Sequence, residues 1–136
     1  MAITVNEIYN YIEAAVNTTE RPVYCASVVE PISAQFPACQ IVEIDHPVHQ
    51  RALPLSFAHK TAVTVRRDFE VHVFSNLKNR ALSEARSIMD DVEIAFRQLS
   101  FIETMCRQTD NVDATVIHLV ARFTRIVADG DELETD

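Results

Sequence analysis

The stretch "FEVHVFSNLKNRALSEARSIMDDVEIAFRQL", residues 69–99, changes its hydrophobic period within a few residues. Up to Phe74 the apolar and polar residues alternate, as in a strand with one buried face. Beyond Leu77 the apolar residues return every three or four positions, as in an amphipathic helix. The alternation reaches back to residue 61, so Val63, Val65, Phe69, Val71 and Val73 share one face and Thr64, Arg66, Asp68, Glu70 and His72 the other. One face is therefore expected in the core and the other in water. Arg67 falls on the apolar face, where it needs a bulge, a path to solvent or another chain to meet. The helix predicted over 77–99 carries Leu77, Ala81, Ala85, Ile88, Val92, Ala95 or Phe96, and Leu99 along one stripe. Its other face holds Arg80, Glu84, Arg86, Asp90, Glu93 and Arg97, with Glu93 and Arg97 spaced as a favourable ion pair. The junction between strand and helix, Ser75 to Asn79, has no glycine. A loop that cradles a phosphate needs glycines to turn tightly and bring its N–H groups to the anion, so this junction reads as scaffold.

The flanking segments extend the pattern. Thr4 and Glu7 have capping-box spacing, and Ile8, Tyr11, Ile12 and Ala15 follow at helical intervals up to about Asn17. "VYCASVV" fits a strand or the start of a short helix, and Pro31 and Pro37 interrupt either. Strands are predicted over 38–45, 101–108 and 114–128, the last two joined by the turn-forming "TDNVDA". In the last strand Ile117, Leu119, Ala121 and Phe123 alternate with Val116, His118, Val120 and Arg122, so both faces are fairly apolar. Such a strand is central, or it faces a neighbouring subunit. The order predicts an α+β domain: a mainly antiparallel sheet with a long amphipathic helix (about 77–99) and an N-terminal helix packed on one face. The 136 residues suit a single domain over 1–128, followed by a tail over 129–136 with five acidic residues and no basic one. That tail is a solvated end or an interaction arm.

Composition narrows the function classes. No apolar run approaches the roughly 20 residues of a membrane span, and the opening "MAITVNEIYNYIEAAV" lacks the charged-then-apolar order of a secretory signal. The expectation is a chain folded in a cytoplasm, without a membrane partner. Cys25, Cys39 and Cys106 show no CxxC spacing, which indicates reduced thiols and neither a disulfide framework nor a zinc knuckle. The formal net charge of −8 opposes sequence-specific nucleic-acid binding but suits a protein that lets DNA pass without gripping it.

Chemistry is sparse. His46, His49 and His59, with Asp45, are the nearest approach to a zinc set, but His46 and His49 are three apart and separated by a proline, unlike a helical HxxxH pair. Asp90, Asp91 and Glu93 diverge around their helix and read as a solvated face. His72 and His118 sit opposite the core stripes, at surface or interface positions, and Ser83 and Ser87 lie mid-helix. No nucleophile is paired with a base in a recognisable motif, so no catalytic, cofactor-binding or metal-binding residue is assigned and no enzyme activity is expected. Within the loop over 46–60, Leu53, Leu55 and Phe57 alternate with Ala52, Pro54 and Ser56. An apolar, strand-like segment in so long a loop suits docking against another chain or packing onto its own sheet.

"FPACQIVEID", "RRDFEVHVFSNLKNRALSEARSIMDDVEIAFRQLSFIETM" and "NVDATVIHLVARFTRIV" together resemble the tail terminator or tail-completion proteins of tailed bacteriophages. The likeness covers roughly residues 36–128: an FP-strand, a long hairpin loop, an aromatic-rich strand, a helix with an "EAR" centre and two closing strands ending in "ARF". It implies a structural virion protein, assembled in the host cytoplasm, that forms a homo-oligomeric ring, typically a hexamer, at the head-proximal end of the tail. Such a ring ends tail-tube polymerisation and joins the tail to the head connector, with DNA passing through its lumen. Its partners would be copies of itself, the tail tube protein and the connector or neck protein. The surfaces expected at interfaces are His49, Arg51, Leu53, Leu55, Phe57 and His59 in the loop, Arg67, and Val116, His118, Val120 and Arg122 on the last strand. The chain departs from its look-alikes at Ser100, where they often carry glycine, and in its acidic tail. Alternatives are a neck or stopper subunit of related fold, a small metal-dependent enzyme using His46, His49 and His59, and a cytosolic ligand-binding α+β domain.

Overall fold

The computed structural model describes residues 4–27, 35–44, 64–109 and 115–128. In chain order the elements are α1 (Val5–Val16), β1 (Tyr24–Ala26), β2 (Ala38–Glu43), β3 (Thr64–Ser75), α2 (Ala81–Gln98), β4 (Ile102–Thr109) and β5 (Ile117–Ala128). The strands form one five-stranded sheet in the order β1-β2-β3-β5-β4. β1 runs parallel to β2 and the other pairings are antiparallel. The architecture is the expected α+β, and β5 is an interior strand, as its two apolar faces suggested.

Local chemistry sets the helix ends. The Thr4 hydroxyl accepts a hydrogen bond from the Glu7 N–H at 3.1 Å and caps α1. Val16, and not Ala15, completes its buried stripe behind Ile8 and Ile12. α2 begins four residues later than its periodicity predicts. Asn79 takes a left-handed conformation, φ 66°, that closes a turn from Leu77, whose carbonyl accepts from the Arg80 N–H at 3.1 Å. Leu77 thus stands before the helix, 46% exposed, outside the stripe it was assigned to. At the other end Ser100 has φ 67°, and the Ser100 and Phe101 N–H groups bond back to the Arg97 and Phe96 carbonyls, both at 2.9 Å. This is the left-handed helix exit that normally favours glycine, here kept with serine. Arg125 donates to the Leu99 carbonyl at 2.9 Å and places a cation at the negative end of α2.

One core joins both helices to one face of the sheet. Ile8, Ile12 and Val16 of α1 and Ala85, Ile88, Met89, Val92, Ala95 and Phe96 of α2 cluster with Cys39 and Ile41, with Phe69, Val71 and Val73, and with Leu119, Ala121 and Phe123. Register explains the match: Phe69 lies opposite Phe123, Val71 opposite Ala121 and Val73 opposite Leu119, so the alternating residues of β3 and β5 point the same way. Phe96 stacks on Phe123 with centroids 4.2 Å apart, and Phe101 meets Phe69 and Phe96 edge-on. Across the helices, Tyr11 donates to Gln98 at 2.8 Å, and Arg21 holds Ser87 and Asp91.

The opposite face of the sheet is not the wet surface the alternation implied. Gln40, Phe74, Val116 and Val120 are buried there, and Asp68, Glu70 and His72 are half-buried. Phe74 packs with Ala38, Val116 and Phe36 in a second, small apolar cluster. Polar side chains pair across the strands beside it, so this face is partly buried around Phe74 and His72 and stays open at Arg66, Arg122, Ile102 and Ile126.

Candidate functional site

The pairing registers build a continuous polar array on that second face. Glu70 lies opposite Arg122, His72 opposite Val120 and Phe74 opposite His118. Residues two apart on a strand share a face, so these side chains converge between β3 and β5. Arg122 Nε donates to Glu70 Oε2 at 2.7 Å, and His72 Nε2 lies 2.7 Å from Glu70 Oε1. His72 Nδ1 lies 2.8 Å from His118 Nε2, and His118 stacks on Phe74 with centroids 4.2 Å apart. One step along the sheet, Thr124 donates to Asp68 at 2.5 Å and Arg66 reaches the same carboxylate at 3.0 Å.

The electrostatics follow from this order. Burial pushes the Glu70 carboxyl up, but hydrogen bonds and charge from Arg122 and His72 together outweigh it and hold the group below the usual carboxylate range. An ionised Glu70 accepts a hydrogen bond from His72 Nε2–H, and one proton bridges His72 Nδ1 and His118 Nε2 on the other side of the ring. Burial, and then the charge of His72, depress the His118 pKa to about 4, against a smaller opposing effect of Glu70. Protonating both rings would set two imidazolium groups 2.8 Å apart. The array therefore holds a single charge relay, from Arg122 through Glu70 and His72 to a neutral His118.

A pH dependence follows. Unfolded His118 binds a proton near its ordinary pKa of 6.5, whereas in the fold it does so only near 4, so stability falls as pH drops from about 6.5 to about 4. Glu70, with its lowered pKa, loses its stabilising contribution in acid as well. The groups facing His118 are His72 and Phe74 on β3, with Glu70 beyond, and Thr109, its register partner on β4. In His118→Gln the drop in melting temperature between pH 7 and pH 4.5 should be smaller than in the parent by about 3 °C. Parallel melting curves for the two proteins would show that His118 titrates normally in the fold.

The residues singled out in the sequence are distributed unevenly. His49, Arg51, Leu53, Leu55, Phe57 and His59, and the proposed zinc set with His46, lie outside the described residues. Val116 is buried in the small cluster beside Phe74, and His118, Val120 and Arg122 line the polar array, with Arg122 exposed. Arg67 sits neither at a bulge nor with its head group in water. It is 5% exposed, on the core side of β3, and its Nε donates to Glu43 Oε2 at 2.5 Å. Glu43 pairs in register with Phe69, two residues on, which puts its carboxylate within diagonal reach.

A second titratable group lies between α2 and β4. Ligand atoms of Glu93, Glu103 and Cys106 all come within 4.8 Å of one another, a donor set of two carboxylates and a thiol. A hydrogen bond with Glu103, burial, and the charges of Glu103 and Asp90 push the Glu93 carboxyl up to about 7, with Arg97 opposing. Glu93 thus turns to Glu103 as well as feeling Arg97, and the two carboxylates share a proton at neutral pH. Glu93 departs from the solvated face assigned to it and Asp91 is held by Arg21, while Asp90 is exposed as read. Desolvation in the cleft, followed by Glu103 and Glu93, raises the Cys106 thiol and keeps it protonated. Exposed acidic groups commonly meet in this way without an ion.

Sequence reasoning placed His72 and His118 on outward faces but missed that they touch, because their contact depends on the register of strands 46 residues apart. No family model matches the chain, and a search of curated proteins finds no match in sequence. Among the described residues, no helix is long and apolar enough to cross a membrane.

Proposed function

We propose that the protein is a structural subunit that assembles with copies of itself into a ring at the head-proximal end of a phage tail. There it ends tail-tube polymerisation and joins the tail to the head connector. The observation that carries this reading is the resemblance over residues 36–128, a stretch that includes β2, β3, α2, β4 and β5. The fold adds a surface suited to it. β4 is the last strand in the sheet order and is exposed along nearly all its length. Ile102 at its start is 68% exposed, and Ile126 of β5, on the same face, is 53% exposed. A long edge strand with outward apolar residues is a liability in an isolated subunit and an asset in one whose neighbour covers it. The net charge of −8 fits a lumen that passes DNA without retaining it.

Native mass over a range of concentrations, with negative-stain images, tests the reading. The expected particles are rings of about six subunits, formed in solution or on added tail tubes. Ile102→Asp should leave the subunit folded, with a stability change within about 0.5 kcal/mol, while shifting the population from rings to monomers. A parent protein that stays monomeric at every concentration and leaves purified tail tubes uncapped would overturn the proposal.

A further inference from the structure

The edge strand β1 has a cysteine at its centre. Cys25 pairs in parallel register with Cys39 of β2, between the pairs Tyr24 with Ala38 and Ala26 with Gln40. Neighbouring strands run about 4.8 Å apart, inside the span of about 4.4–6.8 Å between Cα atoms that a disulfide bridges. Register partners project to the same face. Cys39 is fully buried in the main core, and Cys25, half-buried, packs against that core from the edge. The Cys25 thiol donates to the Val23 carbonyl oxygen at 3.7 Å, on the same face as Cys39.

We propose that Cys25 and Cys39 are a dithiol pair that a small-molecule disulfide, such as oxidised glutathione, converts into a covalent clasp between β1 and β2. The two sulfurs are unequal in a way that sets the order of events. The hydrogen bond from Cys39 lowers the Cys25 pKa, against burial and the charge of Glu13. That contact and burial raise Cys39, with Arg21 opposing. Tyr9 and Glu13 of α1 and Arg21 ahead of β1 are the ionisable groups around the pair. Cys25 is thus both the reachable sulfur and the more readily ionised one, with Cys39 behind it as a protonated thiol.

The exchange balances with the oxidant alone. The Cys25 thiolate attacks one sulfur of oxidised glutathione, forms a mixed disulfide and expels one glutathione thiolate. Cys39 gives up its proton to that thiolate, attacks the Cys25 sulfur and expels the second glutathione. One sulfur–sulfur bond is broken and one is formed; the two cysteines are oxidised and the oxidant is reduced to two glutathiones. The reduced protein holds β1 by a three-residue ladder at the sheet edge, and oxidation adds a bond in the middle of it. The proposal rests on strand register and is independent of the ring-forming reading.

Cys106 is exposed, on β4 at the other side of the sheet, so Cys106→Ser leaves Cys25 and Cys39 as the only thiols. The full chain carrying Cys106→Ser is incubated, folded and at neutral pH, with oxidised glutathione, and its intact mass and free thiols are followed. The expected product is a single covalent chain that has lost two hydrogens, carries no glutathione, has no alkylatable thiol and melts at a higher temperature, all reversed by dithiothreitol. Addition of Cys39→Ser should halt the reaction at one glutathione on Cys25. A lasting glutathione adduct beside a free Cys39 in the Cys106→Ser protein would overturn the proposal. So would two thiols that stay reduced at glutathione ratios that oxidise an unfolded control peptide carrying the same two cysteines.

Discussion

Val71→Asp is expected to abolish the stable fold. Val71 is fully buried at the middle of β3, paired with Ile41 on one side and Ala121 on the other, beneath the core side chains of α2. An aspartate there loses the packing of the valine and carries a carboxylate into a region whose neighbours offer it no donor. Burying an unpaired charge belongs with the most destabilising of single changes, about 4 kcal/mol or more. A domain of this size has only about 5–15 kcal/mol in total. Circular dichroism should show either an unfolded chain at 25 °C or a melting temperature lowered by at least about 15 °C. The same charge at the exposed Ile102 serves as the control. A normal melting curve for Val71→Asp would mean that the core and outer faces of β3 are reversed.

The second large effect concerns Arg67 and Glu43. Their side chains are 6% and 12% exposed, and they are joined by a 2.5 Å hydrogen bond between Nε and Oε2. Removing one partner of a buried ion pair is strongly destabilising, by about 3–5 kcal/mol, whereas replacing both partners with apolar residues is often nearly neutral. Glu43→Ala alone should therefore lower the urea midpoint strongly, by about 3 kcal/mol in unfolding free energy. The double variant Glu43→Leu with Arg67→Met should recover most of that loss. If Glu43→Ala instead left stability unchanged and impaired ring formation, Arg67 would return to the interface role its sequence position suggested.

The contrast between these two positions shows how much was legible in advance. Val71 was assigned to the core from alternation alone, because a strand repeats every two residues and one buried face suffices to set the phase. The strand expected to 74 ends at Ser75, and the one expected from 38 begins at Ala38. The helix stripe from Ala85 to Leu99 is buried as read. The errors fall where a single residue overrides the period. Asn79 spends its left-handed conformation on a turn and leaves Leu77 outside the helix, and Ala15 yields its place to Val16. Ser100 stands where the look-alikes often carry glycine, and it takes the positive φ that a glycine adopts at a helix exit.

The chemistry was far less legible. His72 with His118, Arg67 with Glu43, Glu93 with Glu103 and Cys25 with Cys39 are each made by elements that meet only in the folded sheet. The parallel pairing of β1 with β2 could not be read from cysteine spacing, since no CxxC motif marks it. By itself the sequence determined the class of fold and the core faces of β3 and α2, because those follow from periodicity and apolar content within one segment. The tertiary structure alone decided which polar and sulfur groups face one another. Such pairs depend on strand order and register, and those are settled by the joint packing of the whole core, a non-local sum that no single segment carries.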